Sequence, residues 1–168
     1  MLSAFVLSQI LIGVAFLFDL ASFQFKNRKT TLLLFTCAAS LISAHFFLLG
    51  ATTAGFLVAV SATRFFVSIF TTHRFLKYFF LVLIIGLGAY TFDGYEDIFS
   101  ILAVVLGTFA AFQNNERTLR HFMMLGTISI IVHNLIIWTP AGILLEAFFL
   151  GSNLVSYYRF YIRKSKPE

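Results

Sequence analysis

Charge is scarce in this chain. Of its 168 residues only 11% are Asp, Glu, Lys or Arg, where a soluble domain carries about a quarter, so water is excluded as the main solvent of the fold. Cysteine is almost absent: Cys37 stands alone inside an apolar run, which excludes an intramolecular disulfide and any metal site built on paired thiolates. Signatures of soluble enzymes are missing as well. There is no nucleophile elbow, no Walker loop and no His-Glu-x-x-His, and the loops between apolar runs are too short to fold a soluble active site. The expectation is a protein that is not an enzyme and needs no cofactor. The first apolar run lacks the basic start and small-residue cleavage pattern of a signal peptide and carries Asp19, so it reads as a retained span.

What is present is apolar. Hydrophobic residues make up 60% of the chain, and the 23 Phe are spread along its whole length; the mean hydropathy is +0.92. A helix crosses about 30 Å of hydrocarbon with about 20 apolar residues, and apolar runs separated by charge give seven spans: 2–25, 30–50, 51–72, 75–92, 98–113, 119–138 and 141–162. The second and third are divided at Gly50, the sixth and seventh at Thr139-Pro140, because each joined run is twice one crossing. The fold class expected is all-α, a polytopic membrane protein. Lys26, Arg28 and Lys29, then Arg74 and Lys77, then Arg117 and Arg120, then Arg159, Arg163, Lys164 and Lys166 all fall on one side, leaving only Arg64 of the 12 basic residues elsewhere. Asp93, Glu96 and Asp97 fall on the other. The positive-inside rule places the C-terminus in the cytoplasm and the N-terminus outside. The pI of about 9.6 follows from this asymmetry and from anionic lipid, so nucleic acid is not an expected partner.

The chain also repeats itself. Ser22-Phe23-Gln24 returns as Ala111-Phe112-Gln113, each followed by a polar basic loop, and each next span carries one late histidine, His45 or His133, 88 residues apart. Ala54-Gly55 and Ala141-Gly142 then open the following span. Residues 1–72 and 98–163 thus read as two parallel three-helix repeats, with 73–97 as a linker helix that restores orientation and 164–168 as a cytoplasmic tail. This pattern resembles PQ-loop and SWEET-type transporters, whose architecture is three helices, a linker and three more; Phe23 and Phe112 stand where that family has proline. His45-Phe46-Phe47-Leu48-Leu49-Gly50 with Gly55 and Arg64, and His133-Asn134 with Gly142, Glu146, Asn153 and Arg159, resemble more specifically the YgjV family of bacterial inner-membrane proteins. The resemblance implies location and topology. By the SWEET likeness, Asn153 resembles the third-helix Asn that faces substrate, and Ser61 does so in part.

Ionisable groups in hydrocarbon cost at least about 2.5 kcal/mol each, so those present are paired, inward-facing or wet. Counting about 1.5 Å per residue, Asp19 and Arg64 fall at matching depth near the inner side, and Glu146 and His133 near the outer side. They are expected to form two electrostatic latches or, on the plainer reading, static ion pairs. Ser61 and Asn153 fall about 15 to 18 Å from the outer ends, near the midplane, and Ser129 shares a helical face with His133. Asn153, Ser61, Ser129, His133 and His45 are therefore the candidate substrate residues; Asp19, Arg64, Glu146 and His133 the candidate gating or proton-coupling residues; Gln24 and Gln113 the repeat motif. Two histidines without carboxylates at helical spacing do not make a metal site. Ala51, Gly55, Ala59 and Thr63, and Ala103, Gly107 and Ala111, read as small-residue stripes for close helix packing. Trp138, Tyr157, Tyr158 and Tyr161 read as interfacial anchors.

The functional expectation is a small-molecule transporter or facilitator of the bacterial inner membrane, moving a small polar metabolite, with a homo-oligomer allowed. The competing expectation is a non-transport membrane protein, an assembly partner or sensor whose ion pairs only hold the bundle. An intramembrane enzyme using Glu146 and His133 as acid and base has no nucleophile or metal to support it.

Overall fold

Each apolar run becomes a helix. In the computed structural model the described residues, 4–50, 52–90, 92, 94–138 and 140–163, form α1 (Ala4–Ser22), α2 (Arg28–Leu48), α3 (Thr52–Phe70), α4 (Arg74–Tyr90), α5 (Asp97–Ala111), α6 (Glu116–Ile136) and α7 (Pro140–Tyr157). A π-helical turn, Tyr158–Ile162, continues α7, and there is no strand among these residues. Ala51, Asp93, Thr139, Lys164 and Lys166, and the side chains of Ala54 and Ala141, lie outside the described residues. Helices α1, α2 and α6 are long and apolar enough to cross a membrane as they stand, while α5 and residues 55–70 of α3 are shorter apolar helices.

Local chemistry sets the ends, and it does so twice. Asn27 caps α2, its side-chain oxygen accepting from the Lys29 and Thr30 amides at 2.9 and 3.4 Å. Asn115, 88 positions later, caps α6 by accepting from the Arg117 amide at 2.8 Å. A side-chain acceptor satisfies amides that have no partner within the helix. At the far ends α2 stops at Gly50 with φ +76°, and α6 stops at Trp138 with φ +54°, again 88 positions on. Glycine adopts this left-handed backbone freely; Trp138 does so against its Cβ, a local strain of about 1 kcal/mol.

Two compact units result, residues Met1–Phe70 and Thr71–Glu168. In the first, α2 packs against both α1 and α3. Phe23 meets Phe35 edge-on at 5.4 Å, and Phe35 packs on Phe65 at 5.2 Å. In the second, α6 packs against both α5 and α7. Helix α4 packs on α5, with Phe80 against Phe112 at 6.0 Å, so the expected linker helix belongs with the second unit. Phe23 and Phe112 are both buried; where the PQ-loop pattern has proline, this chain has core aromatics. Large apolar side chains such as Leu17, Phe66, Val82, Leu144 and Phe148 face outward, the arrangement that lipid permits and water penalises.

One small-residue stripe closes a helix pair, and the other does so only at Gly55, where a Cβ would stand 2.9 Å from the Phe47 ring of α2. A Cβ on Gly126 of α6 would stand 3.1 Å from the Ala103 carbonyl oxygen of α5, and Gly107 and Ala111 are buried on α5, so these backbones meet closely. On α3, Gly55 is buried but Ala59 is half-buried and Thr63 exposed. Thr63 returns its hydroxyl to the Ala59 carbonyl at 2.9 Å, so the later part of that stripe is not a packing surface within its unit.

Candidate functional site

The most deeply buried charge is one that the sequence groups with the basic residues of the cytoplasmic side, at the start of the sixth span. Arg120, on the second turn of α6, is 0% exposed and is the largest fully buried side chain described. Its Nε donates to Glu116 Oε1 at 2.9 Å, its guanidinium carbon stands 5.4 Å from the Phe160 ring centroid, and Nη1 reaches Asn153 Oδ1 at 3.5 Å. Asn153, also 0% exposed, donates from Nδ2 to the Arg120 carbonyl at 3.1 Å. A buried ion pair recovers its desolvation cost only when further hydrogen bonds complete it, and Asn153 supplies them from α7. One turn along α7, the Ser156 hydroxyl is buried with no hydrogen-bond partner among the described residues. The π turn that follows sets Phe160 against the guanidinium; such turns, which insert a residue into a helix, recur at functional sites.

Asn153 is bonded to the backbone of Arg120, which lies about 6 Å from the start of α6, so it sits toward the basic end of the second unit. The pair Glu116 and Arg120 was legible as an opposite-charge i,i+4 spacing. It was obscured by its place beside a basic loop.

At the other end of α6 the polar residues are spent on α5. His133 Nδ1 lies 2.9 Å from the Glu96 carbonyl, and Ser129 Oγ donates to the Phe99 carbonyl at 2.8 Å. In the first unit His45 Nδ1 lies 2.9 Å from the Ser8 carbonyl. A carbonyl only accepts, so both imidazoles carry a proton on Nδ1. Each histidine reaches back 37 residues to the preceding helix or its first turn, the same clasp in each unit. The Ser129 and His133 stripe therefore holds α5 to α6 and does not join Asn153, whose partner Arg120 lies nine residues, about 14 Å, away along α6.

The outer latch is not made. Among the described residues no ion pair joins His133 to Glu146, because α6 turns one face to α5, where His133 points, and another to α7, which carries half-buried Glu146. In the first unit Arg64 is 3% exposed with its guanidinium carbon 4.6 Å from the Phe65 ring centroid, and Asp19 is half-buried on α1, its carbonyl accepting from Ser22 Oγ at 2.6 Å. Ser61 is half-buried on α3. Gln24 and Gln113 end α1 and α5 in the same way, their amides donating to the Ala21 and Ala110 carbonyls at 2.9 and 3.1 Å. Arg28 does more than set topology: Nη2 donates to the Ser68 carbonyl at 2.7 Å, satisfying the end of α3. No cluster of three or more His, Cys, Asp or Glu is placed to hold a metal among the described residues.

Comparison with known proteins accords with this fold. No solved structure matches the chain. It is 25% identical to inner membrane protein YgjV of Escherichia coli (strain K12), over 99% of this chain and 92% of that protein. Residues 6–164 match the family model of a bacterial inner membrane protein, Imp-YgjV. The chain belongs to the Imp-YgjV family of bacterial inner membrane proteins and is an all-helical membrane protein in contact with the lipid bilayer.

Proposed function

We propose that this protein is a transporter or facilitator for a small polar molecule, built from two three-helix repeats that run parallel across seven spans. The repeat reading is supported by the asparagine caps, left-handed helix ends and histidine clasps that recur at a constant spacing of 88. The observation that carries the transport reading is the cluster of Arg120, Glu116 and Asn153 with the unpartnered Ser156 hydroxyl. A bundle needing only stability gains nothing from a fully buried ion pair, which apolar packing replaces at no loss. Charged groups kept within a membrane bundle mark pathways by default. In this arrangement the cluster closes the basic end of the second unit, and its polar groups become available to a guest when α7 moves away from α6.

The test is uptake of a polar metabolite mixture into proteoliposomes, with and without a pH gradient. Wild type is expected to accumulate at least one compound, and Asn153→Ala to slow that uptake about tenfold, the cost of one charge-assisted hydrogen bond. Uptake no faster than in protein-free liposomes for every compound would end the proposal. A structural role for the whole polar interior is favoured by one observation: Ser129, His133 and His45 each spend a hydrogen bond on a neighbouring backbone carbonyl. Under that reading Asn153→Ala lowers thermal stability and no flux exists to lose.

A further inference from the structure

Arg117 stands beside the buried cluster but faces outward. Its Nε donates to the Tyr157 hydroxyl at 2.8 Å, and its guanidinium carbon lies 5.7 and 5.8 Å from the ring centroids of Tyr157 and Tyr161. Those two rings pack on each other at 5.1 Å, and His121, one turn along α6, packs on Tyr157 at 5.0 Å. No carboxylate pairs with Arg117 among the described residues, since the adjacent Glu116 turns inward to Arg120. Two aromatic faces and one hydrogen bond therefore hold an exposed guanidinium in a set orientation with its terminal nitrogens unspent. That planar fork fits the oxygens of a phosphate.

The same face of α6 then turns apolar. Leu125 and Ile128 follow His121 at helical spacing and are 53% and 48% exposed. Leu154, one turn before Tyr157 on α7, is 50% exposed. From Arg117 to Ile128 the face runs about 16 Å, beginning in a guanidinium and an imidazole and continuing as open hydrocarbon. The repeat does not explain this surface. Eighty-eight positions earlier, Lys29 keeps the charge of Arg117, but Leu33 and Ile69 stand where the second unit has His121 and Tyr157.

We propose that this face of α6 and α7 holds one anionic phospholipid, its phosphate on Arg117 and His121 and an acyl chain along Leu125 and Ile128. The headgroup site needs net positive charge with no internal counter-ion, and the track needs an apolar chain attached to that phosphate; a free phosphate satisfies only the first. The site is independent of transport.

Full-length protein extracted in mild detergent and examined by native mass spectrometry tests it. Wild type is expected to carry one phosphatidylglycerol or cardiolipin, and Arg117→Ala to lower that fraction at least about fivefold, as loss of one interfacial cation does. Arg117→Lys is expected to retain an intermediate amount. Tyr157→Phe, which frees the guanidinium without removing charge, weakens retention less than Arg117→Ala. Lys29→Ala, at the matching position of the first unit, is expected to leave retention unchanged. Equal retention by wild type and Arg117→Ala, an equal drop with Lys29→Ala, equal uptake of phosphatidylethanolamine, or displacement of the lipid by millimolar inorganic phosphate would each overturn the proposal.

Discussion

Arg120 shows what one side chain does to the meaning of a charge. Beside a polar loop it reads as a topology signal, yet it is enclosed by Glu116, Asn153 and Phe160. Removing it leaves the Glu116 carboxylate buried, so Arg120→Ala is expected to destabilise the protein by about 3 kcal/mol. The double variant Glu116→Gln with Arg120→Met is expected to recover most of that. Thermal unfolding in detergent micelles measures both, and a double variant no better than the single one would mean the ion pair is not the source of the loss. The left-handed helix ends give a second prediction at this scale. Gly50→Ala forces a Cβ into φ +76° and is expected to cost about 1 kcal/mol. The same assay checks it, and an unchanged midpoint would show that the turn relaxes.

Helices are joined in this protein by small residues and by carbonyls that receive side chains. Gly126 brings α6 against the Ala103 carbonyl of α5, while Ser129 and His133 fasten the same pair farther along. Because the atom facing Gly126 is backbone, Gly126→Val must separate the helices. It is expected to destabilise the second unit by about 2 kcal/mol, in the range of an overpacked core, with loss of folded protein in size-exclusion chromatography. At the helix starts, Asn115→Ala removes the acceptor for the Arg117 amide and is expected to cost about 1 kcal/mol, whereas Asn115→Asp keeps it. Stability unaffected by Asn115→Ala would show that water caps α6 equally well.

For the whole molecule the prediction concerns sidedness. By the positive-inside rule the charge pattern predicts the loops after α1 and α5 in the cytoplasm and the Gly94–Glu96 turn outside. With Cys37 replaced by serine, single cysteines at Asn27, Asn114 and Tyr95 provide the test in intact cells. A membrane-impermeant maleimide is expected to label only position 95, and labelling at 27 or 114 with none at 95 would invert the topology. The same scan on α6 and α7 bears on transport, since substrate-protected labelling at Ser156 is expected for a pathway and absent for a static bundle.

Scarcity of charge, seven apolar runs and the clustering of basic residues determined class, helix order and helix ends from the sequence alone, because hydrocarbon imposes its solvent requirement residue by residue. The histidines 88 apart were legible too, since spacing survives in a linear string. Which face each polar residue turns was not. Helix α6 lies between α5 and α7, so His133 and Ser129 meet α5, Asn153 meets Arg120, and Glu146 is left on another face. Depth along a span is readable by counting, but azimuth is decided by which neighbours pack around a helix, and that choice belongs to the tertiary structure.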